Sequence, residues 1–487
     1  MPAAAAHTIR LQRLDVTLNG AESDGFALQN RLSAWCNDRL PQAISQALEP
    51  FAPAEGNLVI EYLDVDAGEL SLEHFEQEFP ECVRRAVVHA IRDKLAAVPV
   101  AASTPSDSPD AVFKSEAQVT LEAFLFFLET GRLPWAFRLL PGKTLEDQVL
   151  EVRAAGPEVG RFWAEFRLRL ASQAVRSRLI RQFSLAFLSD LTKRISPDPV
   201  SGAHQVLAIW RPVLQPEAFA FWERVVWLTA LAQQAGVAMP RLTGEQHRVA
   251  DTPEHVPQLL FAGLHEAERQ RPGFIRILWT AIGPEPVQPW AKAVLAEIQS
   301  APPPTLGPDA ALERQPGSEP PPEGLLLDCA GLVLLHPFLP QFFRALGVAD
   351  DTALTQPDRA LHQLHFLATG KTPAREHELV FAKILCGIPL DRPAEGHIEL
   401  TDNETDEAVN LLNTVIRYWD ALKGTSPDGL RESFLRRPGK LVSSVDGGWE
   451  LHVEKQTHDI LLRHLPWGIG MIQLPWMPVL LHVEWEY

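Results

Sequence analysis

"ETDEAVNLLNTVIRYWDAL" (404–422) and, shortly after it, "KLVSSVDGGWELHVE" (440–454) carry the two periodicities that decide the fold. In the first, Ala408, Leu411, Leu412, Val415, Ile416, Trp419 and Leu422 recur every three or four residues. That repeat gathers apolar side chains on one face of an α-helix. The second reads as two strands around Asp446-Gly447-Gly448, whose glycines supply the positive backbone dihedrals of a tight hairpin. A last strand is expected over Val479–Trp485, where Leu481, Val483 and Trp485 alternate with polar residues. Residues 325–487 therefore read as a mixed piece, helices first and strands late.

Upstream, the pattern is almost wholly helical. Across 111–300, Leu121, Phe124, Leu125 and Leu128, and again Phe219, Trp222, Val226 and Thr229, fall at helical spacing. Frequent Pro and Gly keep these helices short. Residues 1–98 read as a small α/β module. A strand-like alternation comes at Ile9 and Leu11 and a second strand at Leu58–Leu63. A helix over Leu72–Leu95 then carries Phe75, Phe79, Val83, Val87 and Ile91 along one stripe. Two segments, "PVAASTPSDSPD" (99–110) and the Pro-rich 301–324, lack the apolar content to order themselves and read as linkers. The expectation is an α+β, mainly helical chain: an N-terminal module, an all-helical domain at 111–300 and the mixed domain at 325–487.

The 487 residues exceed what one core usually organises. With 62 acidic against 44 basic residues the formal charge is −18, which argues against a general nucleic-acid binder. The basic residues cluster once, at Arg161, Arg167, Arg169, Arg176, Arg178 and Arg181, on what reads as one long helix with a solvated face. Cys36, Cys82, Cys329 and Cys386 have no paired spacing, so neither zinc nor a disulfide framework is signalled. No leader pattern and no long apolar run appears, so cytoplasmic synthesis without membrane insertion is expected.

Chemistry is hard to find. "HELVF" (377–381) and "HEAER" (265–269) begin like a zinc-protease helix but lack its second histidine. "GIGMIQ" (468–473) lacks the third glycine of a dinucleotide loop. His458, Asp459 and His464 read as local capping or surface residues, and "DVDAGE" (64–69) as a solvated acidic turn. No catalytic, cofactor-binding or metal residue is assigned.

What stands out instead is aromatic. Pro337 and Pro340 stiffen the backbone around Phe338, Leu339 and Phe342, and Pro-Trp pairs recur at Trp467 and Trp476. These rings either fill the domain's own core or anchor a partner subunit, since Trp and Phe dominate interface hot spots. Pro337, Phe338, Leu339, Pro340, Phe342, Trp467 and Trp476 are the candidate partner-binding residues. There is also an internal echo: "FFLETGRLPW" (126–135) and "HFLATGKTPA" (365–374) share Phe-Leu-x-Thr-Gly-x-x-Pro. It reads equally as a duplicated helical unit or as a common helix-ending signal met twice.

The ordered set "LVLLHPFLPQFF" (332–343), "FLATG" (366–370), "HELVFAKILCGIPL" (377–390), "TSPDGLRESFLRRPG" (425–439) and "LPWGIGMIQLPWMP" (465–478) resembles the C-terminal region of the tape-measure proteins of contractile injection systems, the phage-tail-like particles. "HTIRLQRLDVTL" (7–18), "ALQNRLSAW" (27–35) and "LVIEYLDVDAGEL" (58–70) resemble the family's opening block, and "FLETGRLPW" (127–135) its recurring helix end. The resemblance is thinnest over 150–300. It implies a non-enzymatic structural or assembly protein that sets tube and sheath length through baseplate or spike and inner-tube subunits. Self-association, and residence in the assembled particle, stay open. A folded assembly factor or chaperone, absent from the mature particle, is the alternative.

Overall fold

The structure is a computed structural model. It describes residues 39–53, 57–71, 74–96, 111–152, 157–241, 255–282, 288–300, 324–444 and 447–487, together with 12–19 and isolated positions before 39. Both expected linkers lie outside the described residues, apart from Gly324. The fold is mainly helical α+β, in two compact units: residues 1–123 with 135–154, and residues 124–134 with 155–487.

The first unit contains α1 (Leu40–Leu48), β1 (Asn57–Ile60), α2 (Phe75–Ala96), β2 (Ala111–Lys114), the start of α3 (Glu116–Thr130) and α4 (Leu145–Glu151). The expected stripe on α2 forms its core: Phe79, Val83, Val87 and Ile91 are buried together with Trp35, Leu40 and Ala47. The side chain of Phe75 lies outside the described set. Two expectations change here. Ile9 and residues 12–19 are not in a strand, and Ile9, Leu14 and Val16 are exposed; alternation alone makes no strand without a ladder partner. Conversely, "AVFK" opens the stretch read as all-helical but pairs antiparallel with β1, Leu58 opposite Phe113. Four residues are too few for the alternation to register.

The second unit continues with α5 (Pro157–Arg169), α6 (Gln173–Gln182), α7 (Leu185–Lys193), α8 (Pro197–Trp210), α9 (Pro216–Gln234), α10 (His255–Gln270), α11 (Phe274–Ala281) and α12 (Pro289–Ser300). The arginine-rich stretch is thus two helices, not one. Arg176 Nη1 reaches back to the carbonyls of Leu170 and Ala171 at 2.6 and 2.8 Å, spanning the break. After Gly324 come β3 (Leu325–Leu327), α13 (Leu339–Ala345), α14 (Pro357–Thr369), α15 (Val380–Leu385), α16 (Asp402–Tyr418), α17 (Pro427–Leu430), β4 (Gly439–Ser443), β5 (Trp449–Val453), β6 (Met471–Ile472) and β7 (Leu481–Glu484).

Helix α16 starts at a Thr401/Glu404 capping box. All seven residues of its expected apolar face are buried. It ends at Tyr418 rather than 422, because Trp419 leaves helical geometry to donate its indole N–H to the Leu461 carbonyl at 3.2 Å. The expected hairpin is β4 and β5, paired Leu441 to Leu451. It lies inside a five-stranded sheet of order β3-β4-β5-β7-β6, in which β5 and β7 run parallel. Leu325, Leu327, Leu441, Leu451, Val453, Leu481 and Val483 turn one face of that sheet into the core shared with α13 to α17.

Candidate functional site

The motif stretches meet one another inside the second unit. In "HELVFAKILCGIPL", Gly387 adopts φ +63°, and a Cβ there would lie 2.6 Å from the Trp476 carbonyl oxygen of "LPWMP". Trp476 returns the contact, donating its indole N–H to the Leu385 carbonyl at 2.9 Å. Trp467 does the same to the Leu334 carbonyl at 3.1 Å. At Gly331 in "AGLVLL", a Cβ would sit 1.7 Å from the Phe434 carbonyl oxygen, so "LRESFLRRPG" passes directly over that glycine.

At the centre is a buried charge cluster. Arg178 (on α6) and Glu376 are wholly buried and Lys383 (on α15) nearly so. Arg178 Nε donates to Glu376 Oε2 at 2.9 Å, its Nη1 to the carbonyls of Leu128 and Glu129 at 2.5 and 3.2 Å, and its Nη2 to the Asp391 carbonyl at 2.7 Å. Lys383 Nζ spends its three protons on Glu376 Oε1 at 2.7 Å, the Leu390 carbonyl at 3.0 Å and the Arg392 carbonyl at 2.7 Å. Burial pushes the Lys383 ammonium below its ordinary value, against the pull of Glu376. Gln182 completes the set: its Oε1 accepts from Glu376 N at 3.0 Å and its Nε2 donates to the Ala394 carbonyl at 2.8 Å. The arginines of α6 are therefore not a solvated face. Arg178 and Arg176 are buried, and Arg181 faces Asp358 at 3.7 Å.

The internal echo is a repeated device. Gly131 and Gly370 both adopt left-handed φ, +71° and +69°, and close their helices through bonds to Phe127 and Phe366. Thr130 and Thr369 each donate a hydroxyl four residues back at 2.8 Å. Each helix end is also gripped by an arginine from elsewhere. Arg178 takes the Leu128 carbonyl, and Arg431 takes the equivalent Leu367 carbonyl at 3.1 Å. The two stretches thus end their helices by the same contacts, which a duplicated unit and a helix-ending signal met twice would both produce.

The weak chemical motifs are occupied locally. His377 packs against Phe127 with ring centroids 6.1 Å apart, and Glu378 accepts from Arg375 N at 2.7 Å. Asp459 sits in a buried pair with Arg437 at 2.6 and 2.9 Å and accepts from Trp485 Nε1 at 3.0 Å. Burial alone would raise the Asp459 carboxyl, but the bonds from Arg437, Gln456 N and Trp485 hold it below the ordinary range. His458 contacts the Ser433 carbonyl at 2.7 Å, and His464 is exposed. In "DVDAGE", Asp66 accepts from Gly68 N at 2.9 Å, a solvated turn. "GIGMIQ" runs into β6. Burial pushes the Cys329 thiol up to about 12 and raises Cys386 as well, leaving both inert. Cys36 lies outside the described residues.

Of the aromatic candidates, Leu339 and Phe342 are buried in the core, and half-buried Trp476 leans on Phe343 at 5.4 Å. Pro337 is exposed, and Phe338, Pro340 and Trp467 are partly so. Phe338 lies 5.1 Å from Trp467 and 6.1 Å from Tyr418, which is 65% exposed. Tyr418 escaped the sequence reading because it stands off the apolar stripe of α16; an aromatic on the solvent face of an amphipathic helix was the available signal.

No curated protein and no solved structure matches the chain. One family model does, over residues 6–485, nearly the whole length, and its extent takes in the opening block, the echoed helix ends and the C-terminal motifs alike. The chain belongs to the contractile injection system tape measure protein family.

Proposed function

We propose that this chain sets the length of the inner tube and sheath of a contractile injection system, through contacts with baseplate or spike and with tube subunits, and that it catalyses nothing. The family match over residues 6–485 carries this reading. In support, Glu376, Glu378, Asp459, His377 and His458 are engaged by internal contacts, and the Cys329 and Cys386 thiols are raised by burial. The aromatic surface of Pro337, Phe338, Pro340, Tyr418 and Trp467 offers rigid apolar area of the kind that anchors interfaces. Leu339 and Phe342 are buried in the core, and Trp476 packs on Phe343. Assembly takes place in the cytoplasm.

One observation favours a second reading. As a single helix, a chain of this length would span about 730 Å, and fully extended roughly 1,600 Å. Yet the longest described helix has 22 residues. A chain this folded suits an assembly factor that leaves before the particle matures. Quantitative mass spectrometry of purified, sheathed particles separates the two. A fixed, low copy number per particle is expected of the ruler; absence from intact particles would replace it with the assembly factor.

A further inference from the structure

We propose a zinc site on the open face of the C-terminal sheet, formed by Glu450, His452 and Glu484. The parallel register of β5 and β7 sets Glu450 opposite His482 and His452 opposite Glu484. Leu451, Val453, Leu481 and Val483 point the other way into the core, so all four polar side chains share the outer face. His452 Nδ1 lies 2.8 Å from Glu484 Oε2, and its Nε2 lies 3.5 Å from Glu450 Oε1. One ligand atom from each of the three falls within 4.8 Å of the others.

A tetrahedral zinc with bonds of about 2.0–2.2 Å needs its ligand atoms about 3.4 Å apart. Small rotations close that gap, since His452 is 42% and Glu484 63% exposed and neither is locked by packing. One imidazole with two carboxylates is a borderline-soft, doubly anionic set, which suits zinc better than magnesium or calcium. The three side chains leave the fourth position of the metal to water. Lys440 lies opposite His452 on β4. Bound zinc would tie β7 to β5 on the solvent face, in addition to their ladder and shared core. Motif spacing could not show this: Glu450 and His452 share a face only on a strand, and Glu484 reaches them only through parallel pairing.

The test is equilibrium dialysis of the full chain against zinc chloride, with thermal melts run alongside. Other histidines also take up zinc, so the difference between variants is the readout. The wild-type chain should retain one zinc more than His452→Ala and one more than Glu484→Gln, and zinc should raise its Tm by several degrees while leaving both variants unmoved. Both substitutions lie on the solvent face, and melts without zinc establish that the variants fold. Equal zinc content in all three proteins, or a zinc-dependent Tm shift that survives in His452→Ala, would overturn the site.

Discussion

Glu376→Gln is expected to destabilise the second unit by about 3–5 kcal/mol, enough to unfold it or nearly so. The substitution keeps the shape of the side chain and removes only its charge. Arg178 and Lys383 then remain buried with no counter-ion, since their other partners are the carbonyls of Leu128, Glu129, Asp391, Leu390 and Arg392. Removing one partner of a buried pair costs more than the pair was worth, because the desolvated charge is stranded. Lys383→Met should cost less, as Glu376 keeps Arg178. The double variant should cost less than the sum of the singles, the signature of a shared network. Urea denaturation of the three variants checks this. A Glu376→Gln midpoint within about 1 kcal/mol of wild type would show that the cluster is not the keystone described here.

Acidification should weaken the same unit from about pH 6.5 downward, through a buried histidine. His365 is buried on α14, and that burial, with repulsion from His362 once protonated and from Lys371, lowers its pKa from 6.5 to about 4. Above pH 6.5 the ring is neutral in both folded and unfolded chains, and no penalty exists. Between pH 6.5 and 4 the unfolded chain takes up a proton that the folded chain refuses, so stability falls throughout this window and levels off below it. The loss from His365 alone is roughly 3 kcal/mol. Burial lowers His362, His336 and His377 as well and steepens the slope. Glu404 acts later. Burial would raise it, but Arg359, Thr401 and Gln363 hold it at about 2, so its contribution is present above the ordinary glutamate range and is lost only as the pH falls toward 2. Urea midpoints between pH 7.5 and 4.5 should therefore drop steadily, and His365→Leu should flatten the slope by about one proton. A wild-type midpoint unchanged from pH 7 to 5 would contradict the buried neutral histidine.

Local periodicity made the helices legible. The stripe Phe79, Val83, Val87, Ile91 and the face from Ala408 to Leu422 are legible because each follows from one helix burying one side. The hairpin was legible because its glycines and its strands are neighbours in the chain. What could not be read depends on distant pairing. Arg178 and Glu376 lie 198 residues apart. From sequence, Arg178 was one of six basic residues on an assumed solvent face. The parallel pairing of β5 with β7 leaves no local trace, and with it went the Glu450, His452 and Glu484 grouping. The aromatic candidates divided for the same reason: nothing in "HPFLPQFF" distinguishes Leu339 and Phe342, which face inward, from Phe338, which lies at the surface beside Tyr418.

The proposed length-setting role is tested most directly by measuring particles. A graded series of deletions and insertions within 301–323, imaged by electron microscopy, alters chain length without touching the described core. A ruler predicts uniform particles whose length follows the series linearly, by about 30 Å for every twenty or so residues if the segment is helical and about 66 Å if extended. Particles of unchanged length across the whole series, reduced only in number, would contradict the ruler and identify a folded assembly factor.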